Sequence, residues 1–282
     1  MTLAIAFVVG FVIVRLVLAA GRDFLSADGL QRANYRGHRV PTGGGILLAV
    51  GLVVIEGGRV VLGVFDVGNE TLTEARALVL VAVLGFALLG FIDDVAVEQS
   101  AQGFRGHLRA MARGRLTTGG LKLAGGGLLA LVLASPVAAG EPDRLVLDGL
   151  MIALAANLAN LFDRVPGRVI KVGVIAYVPL AAAAGANVVG IALAPLMGSV
   201  VGLFPDDLRE RIMLGDAGAN ALGAALGVGA MLTMTPVGRN VTLAVLLTLN
   251  LLAEVFSFSK AIERVPPLRA LDQLGRIKAG PS

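Results

Sequence analysis

Between Leu78 and Ile92 the chain reads LVLVAVLGFALLGFI without a charge, then stops on two adjacent carboxylates, Asp93 and Asp94. With the residues just before it, this run reaches the roughly 17–25 residues that a helix needs to cross a bilayer. In lipid every backbone polar group must be satisfied within the segment, so such a run commits the chain to helix. The pattern recurs. Apolar segments lie near 3–20, 43–64, 75–92, 119–139, 145–162, 171–185, 187–204, 217–235 and 240–258. A composition 56% hydrophobic and only 16% charged suits a bundle of membrane helices and exceeds what a soluble domain needs. The expected fold is an all-α polytopic membrane bundle of about nine spans over residues 1–258, followed by an amphipathic tail over 259–282.

The loops alternate in charge. Loops 21–42, 93–118, 163–170, 205–216 and the tail hold most basic residues, including Arg22, Arg32, Arg36, Arg39, Arg105, Arg109, Arg113, Arg115, Arg164 and Arg168. The opposite loops hold only Arg59, Arg76, Arg144 and Arg239, beside Glu70, Glu74, Glu141 and Asp143. The positive-inside rule then puts the N-terminus outside and the C-terminus in the cytoplasm. Residues 3–20 read as a first span rather than a cleaved signal, because no basic region precedes them and no small-residue cleavage site follows. Glycines at small-xxx-small spacing, such as Gly223 and Gly227, read as helix contacts. With no cysteine and only His38 and His107, thiolate and histidine-rich metal sites are excluded. The bilayer is the expected partner surface, and no nucleic-acid partner is expected.

Four polar stretches interrupt this pattern, all on the expected cytoplasmic side. Arg36 to Gly45, RGHRVPTGGG, brings three glycines to a helix start; with Arg36 and Arg39 they suit a phosphate cradle, or else a flexible start to span 2. Asp93 and Asp94 end a helix, where the dipole already carries negative charge, so a bound cation would offset both. After them, Gly106 to Arg115 reads as a basic amphipathic segment, and Lys122 sits near a helix N-terminus, where an anion would reconcile it with the dipole. Asn157 to Lys171, NLANLFDRVPGRVIK, places Asn157, Asn160 and Asp163 three residues apart, on one broad helical face. The asparagines serve either a ligand or an interhelical contact. Met213 to Gly223, MLGDAGANALG, adds Asp216, a metal ligand or the cap of span 8. Acids among arginines and lysines suit a divalent metal bound together with phosphate.

These stretches, VPTGGG, GFIDDV, NLANLFD and MLGDAGANALG, resemble the polyprenyl-phosphate N-acetylhexosamine-1-phosphate transferases, in that family's order, over about residues 3–258. The resemblance implies transfer of a sugar 1-phosphate from a UDP-sugar to a polyprenyl phosphate, with Mg²⁺, at the cytoplasmic face of the inner (plasma) membrane. It implies catalytic roles for Asp93, Asp94 and Lys122, a metal held by Asp216 and Asp94, and substrate contacts from Arg39, Thr42, Gly43, Gly44, Asn157, Asn160, Asp163 and Arg168. A homodimer is left open. Departures from the family are visible. No histidine follows His107, a tenth span is missing, Pro166 replaces the family's second aspartate, and Met213 stands in place of a phenylalanine. The rival readings are a non-catalytic relative that binds polyprenyl phosphate or organises an envelope-assembly complex, and a transporter; the latter is disfavoured because polar residues gather at one face instead of the midplane. In the tail, Ile262, Val265, Leu268, Leu271 and Leu274 recur every third residue, which predicts an interfacial helix around the Pro266–Pro267 break.

Single cysteines in this cysteine-free chain test the topology. In intact cells an impermeant maleimide is expected to label Asn69→Cys and to spare Leu108→Cys; the reverse labelling contradicts the assigned orientation.

Overall fold

A computed structural model describes residues 2–68, 71–96, 113–114 and 117–277. Glu70 and the segment around Arg105, His107, Arg109 and Arg115 lie outside the described residues. Among those described, nine helices of 17–22 residues dominate. They are α1 (Leu3–Ala20), α3 (Ile46–Val64), α4 (Glu74–Val95), α5 (Thr118–Ala138), α6 (Pro142–Phe162), α7 (Arg168–Ala184), α8 (Val188–Leu208), α9 (Gly215–Thr233) and α10 (Pro236–Val255). A short α2 (Arg22–Leu25) and a hairpin of β1 (Gln31–Ala33) and β2 (Arg39–Pro41) join α1 to α3, with Gln31 opposite Pro41 and Ala33 opposite Arg39. Two short helices close the chain, α11 (Phe258–Arg264) and α12 (Pro266–Gln273), separated at the expected prolines.

The chain is an all-α polytopic membrane protein. Seven of the described helices are long and apolar enough to cross a membrane. The 17-residue α7 falls short in length. α9 starts on Gly-Asp and is rich in glycine and alanine, so it is less apolar. Its surroundings explain that composition. α9 packs against α3, α4, α5, α6, α7 and α8, and from Ala217 to Met231 nearly every residue is buried. A helix enclosed by helices needs small residues more than greasy ones.

Local chemistry sets most helix starts. Thr2, Thr73, Thr117, Asn187 and Thr235 each accept a backbone N–H of the first turn, and each such cap contributes about 1 kcal/mol. Two boundaries differ from the sequence reading in a way that matters. α4 continues through Asp93 and Asp94, and α8 runs past Pro205 through Asp206 and Asp207. Acids that read as stop signals are instead helical, because partners on other helices hold them.

Intramembrane charges are paired between helices: Arg76 with Glu56, Arg239 with Asp148 and Arg15 with Asp206. Lipid offers no hydrophobic drive to helix association, so close van der Waals packing must supply it. The α1–α8 contact shows how. A Cβ added at Gly198 would lie 1.9 Å from the Phe7 carbonyl oxygen, and one at Gly10 would lie 1.9 Å from that of Pro195.

Gly198→Ala is therefore expected to destabilise the detergent-solubilised protein by about 1–3 kcal/mol, the usual cost of overpacking. Gly57→Ala on α3, where a Cβ meets nothing within 4 Å, is expected to be neutral or stabilising by up to about 1 kcal/mol. Thermal melts followed by circular dichroism compare them; equal melting temperatures would refute the close-packing account.

Candidate active site

Helix α9 begins without a cap of its own. Leu214 precedes it and carries no side-chain acceptor, so the first N–H groups need acceptors from elsewhere. Three acids from other helices supply them. Asp207, near the end of α8, accepts from the N–H groups of Leu214 and Gly167. Asp163, just after α6, accepts from Gly215. Asp94, in the last turn of α4, accepts from the N–H groups of Asp216 and Ala217, each at 3.0 Å. The Thr42 hydroxyl adds a third bond to Asp94 at 3.2 Å. Two glycines permit this approach. A Cβ at Gly90 would lie 2.3 Å from the Asp216 carbonyl oxygen. Gly215 has φ +70, and a Cβ there would sit 2.7 Å from an Asp94 oxygen.

The glycine-rich stretch is tied to the start of α9. The Gly44 and Gly45 N–H groups donate to the carbonyls of Met213 and Leu214 at 3.0 and 2.8 Å, and the Met213 N–H donates to Pro41 at 2.8 Å. A Cβ at Gly45 would lie 2.1 Å from the Gly218 Cα, and one at Gly43 would lie 3.1 Å from the Phe91 ring. Thr42 and Gly44, expected at substrate, have internal partners here, and Gly43 packs closely on Phe91. These residues lock the VPTGGG stretch to the MLGD stretch. Arg39 is the exposed member, on β2.

Beside this cap lies the open part of the site. Asp216 is the second residue of α9, not its cap, so its side chain is available. Lys122, from the first turn of α5, reaches Asp216 directly and lies 3.6 Å from Asp93. The Asn160 amide donates to Asp216 at 3.3 Å. Lys122 thus finds its expected anion, in the protein's own carboxylates. The side chains of Asp93 and Asp216 remain 31% and 29% exposed, whereas both Asp94 oxygens are occupied. Among the described residues no group of three or more acids or histidines forms a closed metal cage. Two partly exposed carboxylates thus share one ammonium.

Two expected contacts lie elsewhere. Asn157 donates to Asn250 of α10 at 2.7 Å, the interhelical role and not the ligand role. Residues six apart on a helix differ by about 120° in direction, so Asn157 and Asp163 do not share a face closely enough to meet one ligand. Arg168 is buried and forms a bidentate pair with Asp272 of α12, at 2.8 and 3.0 Å, plus a bond to Ser259. Its guanidinium is thus engaged by the tail. Sequence reading missed Asp207, although its signal was present: Asp206–Asp207 ends an apolar segment as Asp93–Asp94 does.

Two cavities bear on the site, and carboxylates line only the first. One of about 120 Å³ is lined by Tyr35, Asp163, Pro166, Asp207, Met213 and Asp216 among others. The second, about 260 Å³ and almost wholly apolar, runs along α6, α7 and α9 from Phe162 past Leu222 and Gly223 to Met234.

Burial, and after it the charges of Asp207, Asp216 and Asp94, push the Asp163 carboxyl well above the usual carboxylate range, while the Gly215 N–H pulls it down. A carboxyl raised in the folded state favours folding while protonated. That stability is lost as pH rises through its folded pKa. Asp163→Asn keeps an acceptor for Gly215 and removes this loss. The variant is expected to melt like the parent in acid and above it at alkaline pH, the gap opening upward from the ordinary carboxylate range. A pH-independent gap would contradict the assignment.

No family model matches the chain. Individual relatives do. It is similar to the phospho-N-acetylmuramoyl-pentapeptide-transferase of Heliobacterium modesticaldum, 28% identical over 308 residues, covering 96% of this chain and 88% of that protein. It is 29% identical to the protein of that name from Moorella thermoacetica over 305 residues, covering 97% and 89%. With the one from Carboxydothermus hydrogenoformans it shares 32% identity over 213 residues, covering 69% and 62%. The motifs that carry the resemblance are the ones that meet at the α9 N-terminus, and these relatives support placing the chain with the polyprenyl-phosphate N-acetylhexosamine-1-phosphate transferases.

Proposed function

We propose that the protein transfers a sugar 1-phosphate, an N-acetylhexosamine 1-phosphate by family, from a UDP-sugar to a polyprenyl phosphate. The products are a polyprenyl-diphospho-sugar and UMP, and the reaction serves cell-envelope glycan synthesis at the cytoplasmic face of the plasma membrane. One observation carries the reading: Asp93, Lys122, Asn160 and Asp216, from four helices, converge, and Asp216 also lines the polar pocket together with Asp163 and Asp207. The relatives' names support a phosphotransferase, and the site chemistry agrees.

Phosphoryl transfer between two anions depends on charge neutralisation and in-line positioning more than on covalent chemistry. Asp93 and Asp216 would hold Mg²⁺, which typically takes one or two carboxylates and completes its shell with water and substrate oxygens. Bound there, the ion supplies charge neutralisation to the donor diphosphate. Asp94 is assigned to positioning instead of metal binding, since its oxygens fix α9 and through it Asp216. Lys122 offers a second positive charge to the reacting phosphates, and Asn160 orients Asp216. The pocket that holds both Pro166 and Met213 is assigned to the nucleotide, which accounts for the two departures falling together. The apolar groove begins beside Phe162, next to Asp163, and is assigned to the polyprenyl chain. A carboxylate at this site also serves to accept or share the proton of the acceptor phosphate.

The test is an assay of purified protein with undecaprenyl phosphate, Mg²⁺ and a panel of nucleotide sugars, scored by release of nucleoside monophosphate. Asp93→Asn and Asp216→Asn are expected to lower turnover by about 10²–10⁴, the scale of lost acid–base catalysis, without lowering the melting temperature. Asp94→Asn is expected to lower stability as well, by about 1–2 kcal/mol, as a lost helix cap does. Binding of undecaprenyl phosphate with no turnover on any donor would favour the non-catalytic relative. Asparagine variants as active as the parent would refute the site.

A further inference from the structure

A separate cavity, about 650 Å³, opens at the same end of the bundle between α1, α2, β2 and α8. Arg15, Arg22, Ser26, Gln31, Asp206 and Arg211 line it, and none of Asp93, Asp94, Asp163 or Asp216 does. Arg15 lies inside the apolar α1, more than a turn before its end at Ala20. A charge at that depth is costly unless partnered, and marks a site by default. Its partner is Asp206, which it reaches directly, with the Gly202 carbonyl at 3.1 Å. Those two charges cancel. Arg211 meets the other Asp206 oxygen only at 3.5 Å and keeps 62% of its side chain exposed. Arg22 is exposed, and its guanidinium has no polar partner among the described residues. The neutral donors are already used: Ser26 bonds to the Asp23 carbonyl and Gln31 to that of Leu25. What the cavity leaves unmatched is positive charge.

The wall of α1 indicates where a matching anion comes from. Ile5, Val8, Val12 and Leu16 are exposed apolar residues, spaced along one helical face. The next position on that stripe, Ala19, lines the cavity. An apolar stripe that ends at three guanidiniums sharing a single carboxylate matches the two halves of a charged lipid, since basic pockets between membrane helices recognise anionic headgroups. We propose that this cavity binds the phosphate headgroup of an anionic glycerophospholipid, whose acyl chains lie along the α1 stripe. The site is distinct from the carboxylate cluster, and the proposal stands independently of the reaction assigned above.

Native mass spectrometry of the delipidated full chain in detergent tests this, with phosphatidylglycerol, phosphatidylcholine, undecaprenyl phosphate and inorganic phosphate as probes. Phosphatidylglycerol is expected to be retained in preference to phosphatidylcholine. Arg22→Gln/Arg211→Gln should weaken that retention by about 25-fold, about fivefold for each arginine near a headgroup. Arg22→Lys/Arg211→Lys should keep most of it. Both residues are exposed, so melts by circular dichroism are expected to be unchanged. Undecaprenyl phosphate should bind the parent and the glutamine variant alike. The proposal fails if the glutamine variant retains phosphatidylglycerol like the parent, or if phosphatidylcholine binds equally. It fails too if inorganic phosphate displaces the lipid at equal concentration. Loss of undecaprenyl phosphate in parallel with phosphatidylglycerol would reassign the cavity to the acceptor substrate and also overturn it.

Discussion

The capping of α9 by carboxylates from other helices is the contact on which the rest of the site depends. A helix N-terminus carries unsatisfied N–H groups and the positive pole of the helix dipole. Here Asp207, Asp163 and Asp94 meet both demands at once. The balance of effects can be judged from magnitudes. Placing Asp94 at the end of α4 costs about 0.3–1 kcal/mol against that helix's own dipole. The facing N-terminus offsets this with charge-assisted bonds roughly twice as strong as neutral ones. Asp94 therefore needs no metal to sit where it does. Asp93, its neighbour, and Asp216 do have a cation between them, in Lys122.

That division of labour within an adjacent acid pair follows from helical geometry. Neighbouring residues project about 100° apart, so one carboxylate can be buried against α9 while the other faces the open site. The same geometry separates Asp206 from Asp207 on α8. Asp206 turns to Arg15 of α1, and Asp207 to the α9 start and the Gly167 N–H. Close packing makes both possible, since Gly90 and Gly215 leave no room for a side chain where α4 meets α9.

The tail adds a second restraint on the site's rim. Arg168 and Arg276 grip Asp272, Arg276 also bonds to the Pro166 carbonyl, and Lys171 donates to the carbonyls of Leu271, Asp272 and Leu274. Phe258 stacks on Phe162 with ring centroids 4.9 Å apart. These contacts fasten α11 and α12 to the loop that carries Asp163, Arg164 and Pro166. Meanwhile Val265, Leu268, Leu271 and Leu274 stay exposed, as suits a helix resting on a bilayer surface. Arg168 and Lys171 thus serve the tail, where sequence alone had suggested a ligand for Arg168.

Apolar runs of bilayer length left the chain one option, so the helices and their membrane character were legible without coordinates. Asp93, Lys122, Asn160 and Asp216 were legible as well, because polar groups at the ends of such runs must find partners, and family motifs marked them. Partner choice was not legible. Whether Gly44 offers its N–H to phosphate or to Met213, whether Asn157 meets a ligand or Asn250, and whether Arg168 meets substrate or Asp272 depend on distances between segments far apart in the chain. A sequence pattern fixes the spacing of residues along one helix. Only the packing of α4, α6, α8 and α9 decides which acid becomes a cap and which stays open, because that depends on the few ångströms between helices that glycine allows.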